Sequence, residues 1–398
     1  MSNVLNSNSK GKNFLLSLET QGIKLGLQRT KDLLSICGNP DKHLNSVQII
    51  GTNGKGSTAA ALSSILIASG MNVGMYTSPH LVDLSERITI NNNNIDNNDI
   101  DYFINQFSKE IQELRCTFFE TLTVMAAYFF KKNGVDVAIF ETGLGGRFDS
   151  VTACNATLQL FTKISIDHNH ILGDTITKIA TDKAHAIHRN AQCFSVEQQE
   201  VVKKILINKA KKQATAISFN LDKYNDKFKS PLQGEHQKEN IMLAIKAAKN
   251  ITKITNKDIS NGVQNISWPG RIELLGKNPN IFFDVSHNDD SIIAFCDTIE
   301  SLDHGGTNFL IISIQKTKQI NNAIIKLKNL FSKIIITQIN DRMYSPQDLS
   351  SMFAPHNSIE IISNPDSAIK KTIAKLKKSD ILGIIGSHYW GEYIYKNF

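Results

Sequence analysis

Between residues 47 and 58 the chain reads VQIIGTNGKGST, a short apolar run that breaks into a turn with glycines at 51, 54 and 56 around Lys55. Glycines there let successive backbone N–H groups turn toward one centre. Lys55 adds a point charge, and the helix expected over 57–69 aims its N-terminus at the same place, which together make a phosphate cradle. The spacing is not the common GxxxxGK(S/T), because Gly56 stands between Lys55 and the hydroxyl of Ser57. The loop nevertheless follows a strand-like run and precedes the helix-like STAAALSSILIASG, the context that nucleoside-triphosphate binding demands. Thr52, Asn53, Gly54, Lys55, Gly56 and Ser57 are its candidate residues.

Other apolar runs end in polar residues as well, and ligands in parallel α/β sheets collect at the carboxyl ends of strands. Ser78 and His80 follow NVGMYT, Glu141 and GLGGR follow VDVAIF, and Asp167 and His168 follow TKISI. Ser57, Ser78, Glu141 and His168 offer two hydroxyls, one acid and one imidazole, a reasonable set for Mg²⁺ beside phosphate.

Such a site needs a parallel sheet to hold it. From 46 to about 170 apolar runs alternate with helical periodicity (99–114, 120–132), and the runs are apolar on both faces, as in strands covered on both sides. A polar asparagine run at 91–94 marks a turn after RITI. Pro269-Gly270 interrupts the pattern, and the linker is placed at 267–270. Strand–helix alternation then restarts at NIFFDVS and runs to DILGIIGS, a second α/β unit of about 130 residues, a plausible domain size. The expected division is 1–269 and 270–398.

Composition bounds the alternatives. At 398 residues, 41% hydrophobic and 20% charged, the chain reads as a soluble protein of two domains. No apolar run reaches the roughly 20 residues needed to span a bilayer, and the polar first fifteen residues lack the features of a secretory leader. The five scattered cysteines form no CxxC pair and suit a reducing cytoplasm. Net charge is +7, but the lysines are diffuse and no aromatic-interleaved basic stretch appears, so anionic small molecules fit better than nucleic acid.

GTNGKGS, TSPHL, ETGLGGRxD, DHNHILG, LQGEHQxxN, WPGR, DVSHN and GSHYWGE occur in this order. The set resembles the folylpolyglutamate synthase and dihydrofolate synthase family, a branch of the Mur-type ATP-dependent amide ligases. The resemblance runs from about residue 20 to residue 392. It implies an α/β fold with an N-terminal P-loop ATPase domain of Mur-ligase type and a smaller C-terminal Rossmann-like domain. It also implies addition of L-glutamate to dihydropteroate or folate through an acyl phosphate, with ATP as co-substrate, and a monomer.

Residue by residue, the resemblance puts ATP phosphates on Thr52 to Lys55 and Mg²⁺ on Ser78, Glu141 and His168. It adds Lys183, at a position where the family often carries a carbamylated lysine; a carbamate turns a cation into an anionic oxygen ligand. Asn240, Arg271 and Asp284 match ATP-contacting positions, and Arg271 is expected to reach the γ-phosphate on closure of the two domains. His287 is expected to position phosphate or substrate. The segments Gly22, Ile23, Lys24, Leu25; Thr117, Phe118, Phe119, Glu120; and Phe148, Asp149, Ser150 match the lining of the pteroate pocket, with Phe118 or Phe119 able to stack on a ring.

The chain departs from the family pattern at His185, where a helix glycine is usual, at Asp289 after DVSHN, at SVTACN after the glycine loop, and at Gln315-Lys316-Thr317-Lys318. None of these removes a phosphate or metal ligand. A cell-wall-type Mur ligase is a second reading, disfavoured because only 50 residues precede Gly51. A non-catalytic NTP-dependent switch is a third, but has no requirement for Arg271 or Lys183. Whether the first glutamate, later ones or both are added stays open.

Overall fold

The computed structural model describes residues 9–302, 305–356 and 358–398, so part of the polar N-terminal stretch lies outside the described residues. The chain forms two compact units. One comprises the described residues to Ser165 together with Leu172–Lys229 and Asn240–Ile266. The other comprises Ser267–Phe398 with two earlier segments, Ile166–Ile171 and Ser230–Glu239.

The first unit is built on an eight-stranded sheet. Its strands are β1 (Ser46–Ile50), β2 (Val73–Tyr76), β3 (Ile88–Ile90), β4 (Asn93–Asn94), β5 (Val137–Glu141), β6 (Leu158–Phe161), β7 (Gln192–Ser195) and β8 (Ile217–Ser218). Their spatial order is β4-β3-β2-β5-β1-β6-β7-β8. β1, β2 and β5 are buried along their whole length, as their two-sided apolar runs require. Pairing is parallel from β2 to β8. It turns antiparallel at the β2–β3–β4 edge, where RITI folds back through Asn91 and Asn92, both left-handed at φ 49° and 64°. The sheet is therefore mixed rather than wholly parallel.

The helix Lys55–Ala68 is apolar almost all round and is buried from Gly56 to Leu66. It meets the helix Asn256–Gln264 so closely that a Cβ on Gly262 would lie 2.5 Å from the Ile65 Cα, and Ser64 Oγ donates to the Gly262 carbonyl at 2.7 Å.

The second unit carries β9 (Glu273–Gly276), β10 (Asn280–Asp284), β11 (Asn308–Ile312), β12 (Lys333–Ile336), β13 (Ile359–Ile361) and β14 (Ile381–Ile385). The order is β13-β12-β11-β14-β10-β9, parallel except for β9 against β10. Ile292, Phe295, Leu310, Ile312 and Phe331 are among the residues of its core. All five cysteines are buried free thiols.

Candidate functional site

In the first unit β1 lies between β5 and β6, so its carboxyl end opens where the strand order runs off in both directions, the usual ligand position of such sheets. The glycine loop is pinned there by backbone bonds. Thr52 and Asn53 N–H donate to the Lys163 carbonyl at 2.8 and 3.2 Å, and Thr52 Oγ1 donates to the Ser165 carbonyl at 3.0 Å. Gly54 is left-handed at φ 87°, and a Cβ there would sit 2.3 Å from Asn240 Oδ1. Only glycine combines that backbone with that approach. The helix therefore starts at Lys55, two residues before its expected start.

Lys55 Nζ donates to the Thr52 carbonyl at 3.1 Å and stands 3.9 Å from Glu141 Oε1. Glu141 ends β5, opposite Ile49 of β1, and is 4% exposed. Its Oε2 accepts from the Ser78 N–H at 3.1 Å, two residues beyond β2. Ser57 Oγ is buried and finds no hydrogen-bond partner among the described residues. Three adjacent strands thus lead at their carboxyl ends to Ser57, Ser78 and Glu141, with Glu141 tied to the Ser78 N–H and facing Lys55. These are hard oxygen donors beside an anion cradle, a set that fits Mg²⁺, which takes few protein ligands and completes its shell from phosphate and water. Among the described residues no three His, Cys, Asp or Glu side chains gather as a dedicated metal cage.

Lys183 approaches the same place from the helix Ile176–Ala184. Its Nζ is buried and donates to the Gly51 carbonyl at 2.7 Å. The glycine loop 143–146 lies flat on that helix. Asp182 Oδ2 accepts from Gly146 N–H at 2.9 Å, and a Cβ on Gly146 would lie 2.6 Å from the Lys183 carbonyl oxygen. Asp149 braces the loop from the other side, accepting from Gly143, Leu144 and Val151 N–H at 2.8 to 2.9 Å. Burial pushes its carboxyl up to about 6 despite those three donors. His185 turns outward at the helix end and bonds the Thr181 carbonyl, so its ring does not crowd Lys183. His80 accepts from Arg87 Nε at 2.9 Å, and burial followed by Arg87 drives its pKa down to about 4.

The expected ring-pocket segments divide by environment. Phe118 is buried in the core, with the Arg87 guanidinium 5.1 Å from its ring centroid. Phe119 is only partly buried, lies against Gly143 and packs on Tyr76 at 5.6 Å between centroids. Of the two, Phe119 is the one free to offer a face. Thr117 and Glu120 form a reciprocal helix cap, and Arg29 Nε holds the Glu120 carboxylate at 3.0 and 3.1 Å. Their polar atoms already have partners. Ser150 is buried against Thr123 Oγ1 at 2.5 Å, while Phe148 is 38% exposed beneath Arg147. Gly22 is left-handed, Ile23 and Leu25 are 64% and 60% exposed, and Lys24 Nζ bonds Gln21 and the Arg115 carbonyl.

His168, Arg271, Asp284 and His287 belong to the second unit. Arg271 Nη1 donates to the Gly270 carbonyl at 3.0 Å. The next residue, Ile272, is left-handed at φ 47°, a costly state for a β-branched side chain. Asp284 maintains it by accepting from Ile272 N–H and Ser286 N–H at 2.7 Å each. His236 sits in the same neighbourhood with its pKa lowered, chiefly by burial and also by Arg271, while Asp284 opposes. His287 Nδ1 bonds the Val285 carbonyl at 2.9 Å, leaving Nε2 3.5 Å from Asp167 Oδ2. Asp167 also accepts from Lys318 Nζ at 2.6 Å. Burial works to raise its pKa, but His287, Lys318 and His168 outweigh that and hold the carboxyl well below the usual carboxylate range. Sequence reasoning missed His236 and Lys318 as individuals. The first lies inside the quoted LQGEHQ motif and was legible. The second sits in a run whose only signal was departure from a pattern.

Known proteins place the chain. The Mur ligase, glutamate ligase domain family matches residues 270–388. A dihydrofolate synthase/folylpolyglutamate synthase of Bacillus subtilis is 30% identical over 404 residues, covering 93% of this chain and 94% of that protein. Two solved structures share the fold. The folylpolyglutamate synthase of Mycobacterium tuberculosis complexed with ADP has a TM-score of 0.88 at 24% identity, covering 97% of this chain and 98% of that one. The bifunctional enzyme of Yersinia pestis complexed with AMPPNP and Mn ion has 0.86 at 21%, covering 99% of each. With a Mur-ligase fold, a glycine turn at the end of β1 and near full-length similarity, the chain belongs to the dihydrofolate synthase/folylpolyglutamate synthase family of ATP-dependent carbon–nitrogen ligases.

Proposed function

We propose that this protein joins the carboxylate of a dihydropteroyl or folyl compound to the amine of L-glutamate, converting ATP to ADP and phosphate. A carboxylate is a poor electrophile because oxide is a poor leaving group. A carboxylate oxygen therefore attacks the γ-phosphorus and ADP departs. The neutral amine then attacks the acyl carbon and phosphate leaves. The observation that carries the reading is Lys55 facing buried Glu141 at the ends of β1 and β5, beside a helix start whose buried Ser57 hydroxyl has no hydrogen-bond partner among the described residues.

In this reading Thr52 to Ser57 and Asn240 hold ATP. Ser57, Ser78, Glu141, His168 and Lys183, the last as a carbamate, would hold Mg²⁺. When bound, the ion neutralises charge on the β- and γ-phosphates. Arg271 stabilises the transferring phosphoryl group, Asp284 orders the turn beside it, and His287 orients substrate. Phe119 stacks on the pterin or aminobenzoyl ring, and the exposed 22–25 loop with 148–150 completes that pocket. Residues 1–269 are assigned to ATP binding and 270–398 to glutamate coupling, in a cytoplasmic monomer.

ADP formation with ATP, Mg²⁺ and glutamate tests the reading when dihydropteroate and tetrahydrofolate are offered separately. Turnover with both acids is expected. Crystals grown at neutral pH with bicarbonate test Lys183, where an unmodified amine remote from metal rejects the carbamate.

A further inference from the structure

The segment Ile166–Ile171 follows directly from the β6 side of the first unit, yet packs with the second. Apolar burial does not hold it there, since Ile166 is 51% exposed and Ile171 only partly buried. Polar ties do. Asp167 is 9% exposed, and its Oδ1 accepts from Lys318 Nζ at 2.6 Å and from the N–H of His168 at 2.7 Å. Its Oδ2 accepts from Asn288 Nδ2 at 3.1 Å and faces His287 Nε2 at 3.5 Å. Asn169 Nδ2 adds a bond to Gln319 Oε1 at 3.3 Å, next to Lys318.

Beside this hub His168 has φ 54°, the left-handed region that a non-glycine residue keeps only when its surroundings over-determine it. Its imidazole is 40% exposed, with Nε2 3.9 Å from Asp167 Oδ2, so the carboxylate faces the ring as well as bonding the backbone N–H. Lys318 is 8% exposed and spends its ammonium on the carboxylate that receives the His168 N–H.

We propose that Lys318 is a positioning residue for His168, fixing through Asp167 the left-handed backbone from which the imidazole projects. This rests on the reading of His168 as a functional group, and it adds a residue to which that reading gives no part. Its ammonium is tied to a carboxylate, and it acts through that group. Residues one step behind a ligand are commonly worth about 10–100-fold in activity or metal affinity.

The test is a double-mutant cycle with a structural readout. Lys318→Met is expected to lower kcat about tenfold, to raise the Mg²⁺ concentration giving half-maximal rate, and to speed hydrogen exchange of the His168 amide at least about tenfold. Lys318→Arg is expected to keep all three properties near wild type. In a His168→Ala background, Lys318→Met should cost less than about twofold, because the two residues act in series. Equal losses in both backgrounds, or unchanged exchange at His168, would overturn the proposal. A fully active His168→Ala would refute the role assigned to His168, whereas exchange at that amide still judges Lys318 on its own. If Lys318→Met fails to fold because it strands a buried carboxylate, the charge-neutral Asp167→Asn/Lys318→Met pair replaces it and is read by the same criteria.

Discussion

Lys55 and Glu141 carry the proposed phosphate and metal roles. The ammonium sits 3.9 Å from the carboxylate with each mostly shielded, so in that reading both charges would meet phosphate and metal with little competition from water. Lys55→Ala and Glu141→Ala are each expected to cut ADP formation by more than about a hundredfold, with circular dichroism unchanged. Near-normal activity in either variant contradicts the site. Arg271→Ala is expected to lower kcat far more than it raises the KM for ATP, as a contact made in the transition state requires, and proportionate changes in both would contradict it.

The pH dependence follows from His80. Its folded pKa of about 4 lies below the ordinary 6.5, so the unfolded chain binds more protons between those values and stability falls on acidification across that window. The contribution is of order 3 kcal/mol. Asp149 opposes it, because its raised pKa makes acidification from about 6 favourable to the fold. His80→Gln should therefore lose less stability than wild type between pH 6.5 and 4 in urea titrations, and identical losses would refute the assignment.

Among the elements, the glycine loop and the Lys183 helix depend on each other. Gly146→Ala would push a Cβ into the Lys183 backbone, 2.6 Å away. It is expected to destabilise the first unit by about 1–3 kcal/mol and to reduce activity beyond what that loss explains, measured by urea unfolding and ADP release. A variant as stable and active as wild type would show that the close approach is dispensable. Elements of this kind were largely legible in advance. Two-sided apolar runs marked β1, β2, β5 and β6, and the glycine turn marked the start of the helix Lys55–Ala68 to within two residues. The antiparallel β3–β4 edge and β9 were not, because pairing direction is decided by partners rather than by a strand's own pattern. Nor was the allegiance of Ile166–Ile171, which rests on side chains more than a hundred positions away. Thr117 and Glu120 illustrate the converse. Their motif was visible, but that they cap a helix and grip Arg29 emerged only with the packing.

For the whole molecule, the work divides between units in the proposed reading: the glycine loop at a carboxyl-end crevice of the first would cradle phosphate, and the second bears Arg271 next to the left-handed Ile272 turn held by Asp284. The net charge of +7 matches substrates that are all anionic. Among the described residues no helix is long and apolar enough to cross a membrane. The most direct measurement is ADP release by the purified full chain with ATP and Mg²⁺, adding glutamate, pterin acid, or both. The account predicts sustained ADP release matched one-to-one by amide product only when both are present. Sustained release without them, or none with either dihydropteroate or tetrahydrofolate, would contradict it.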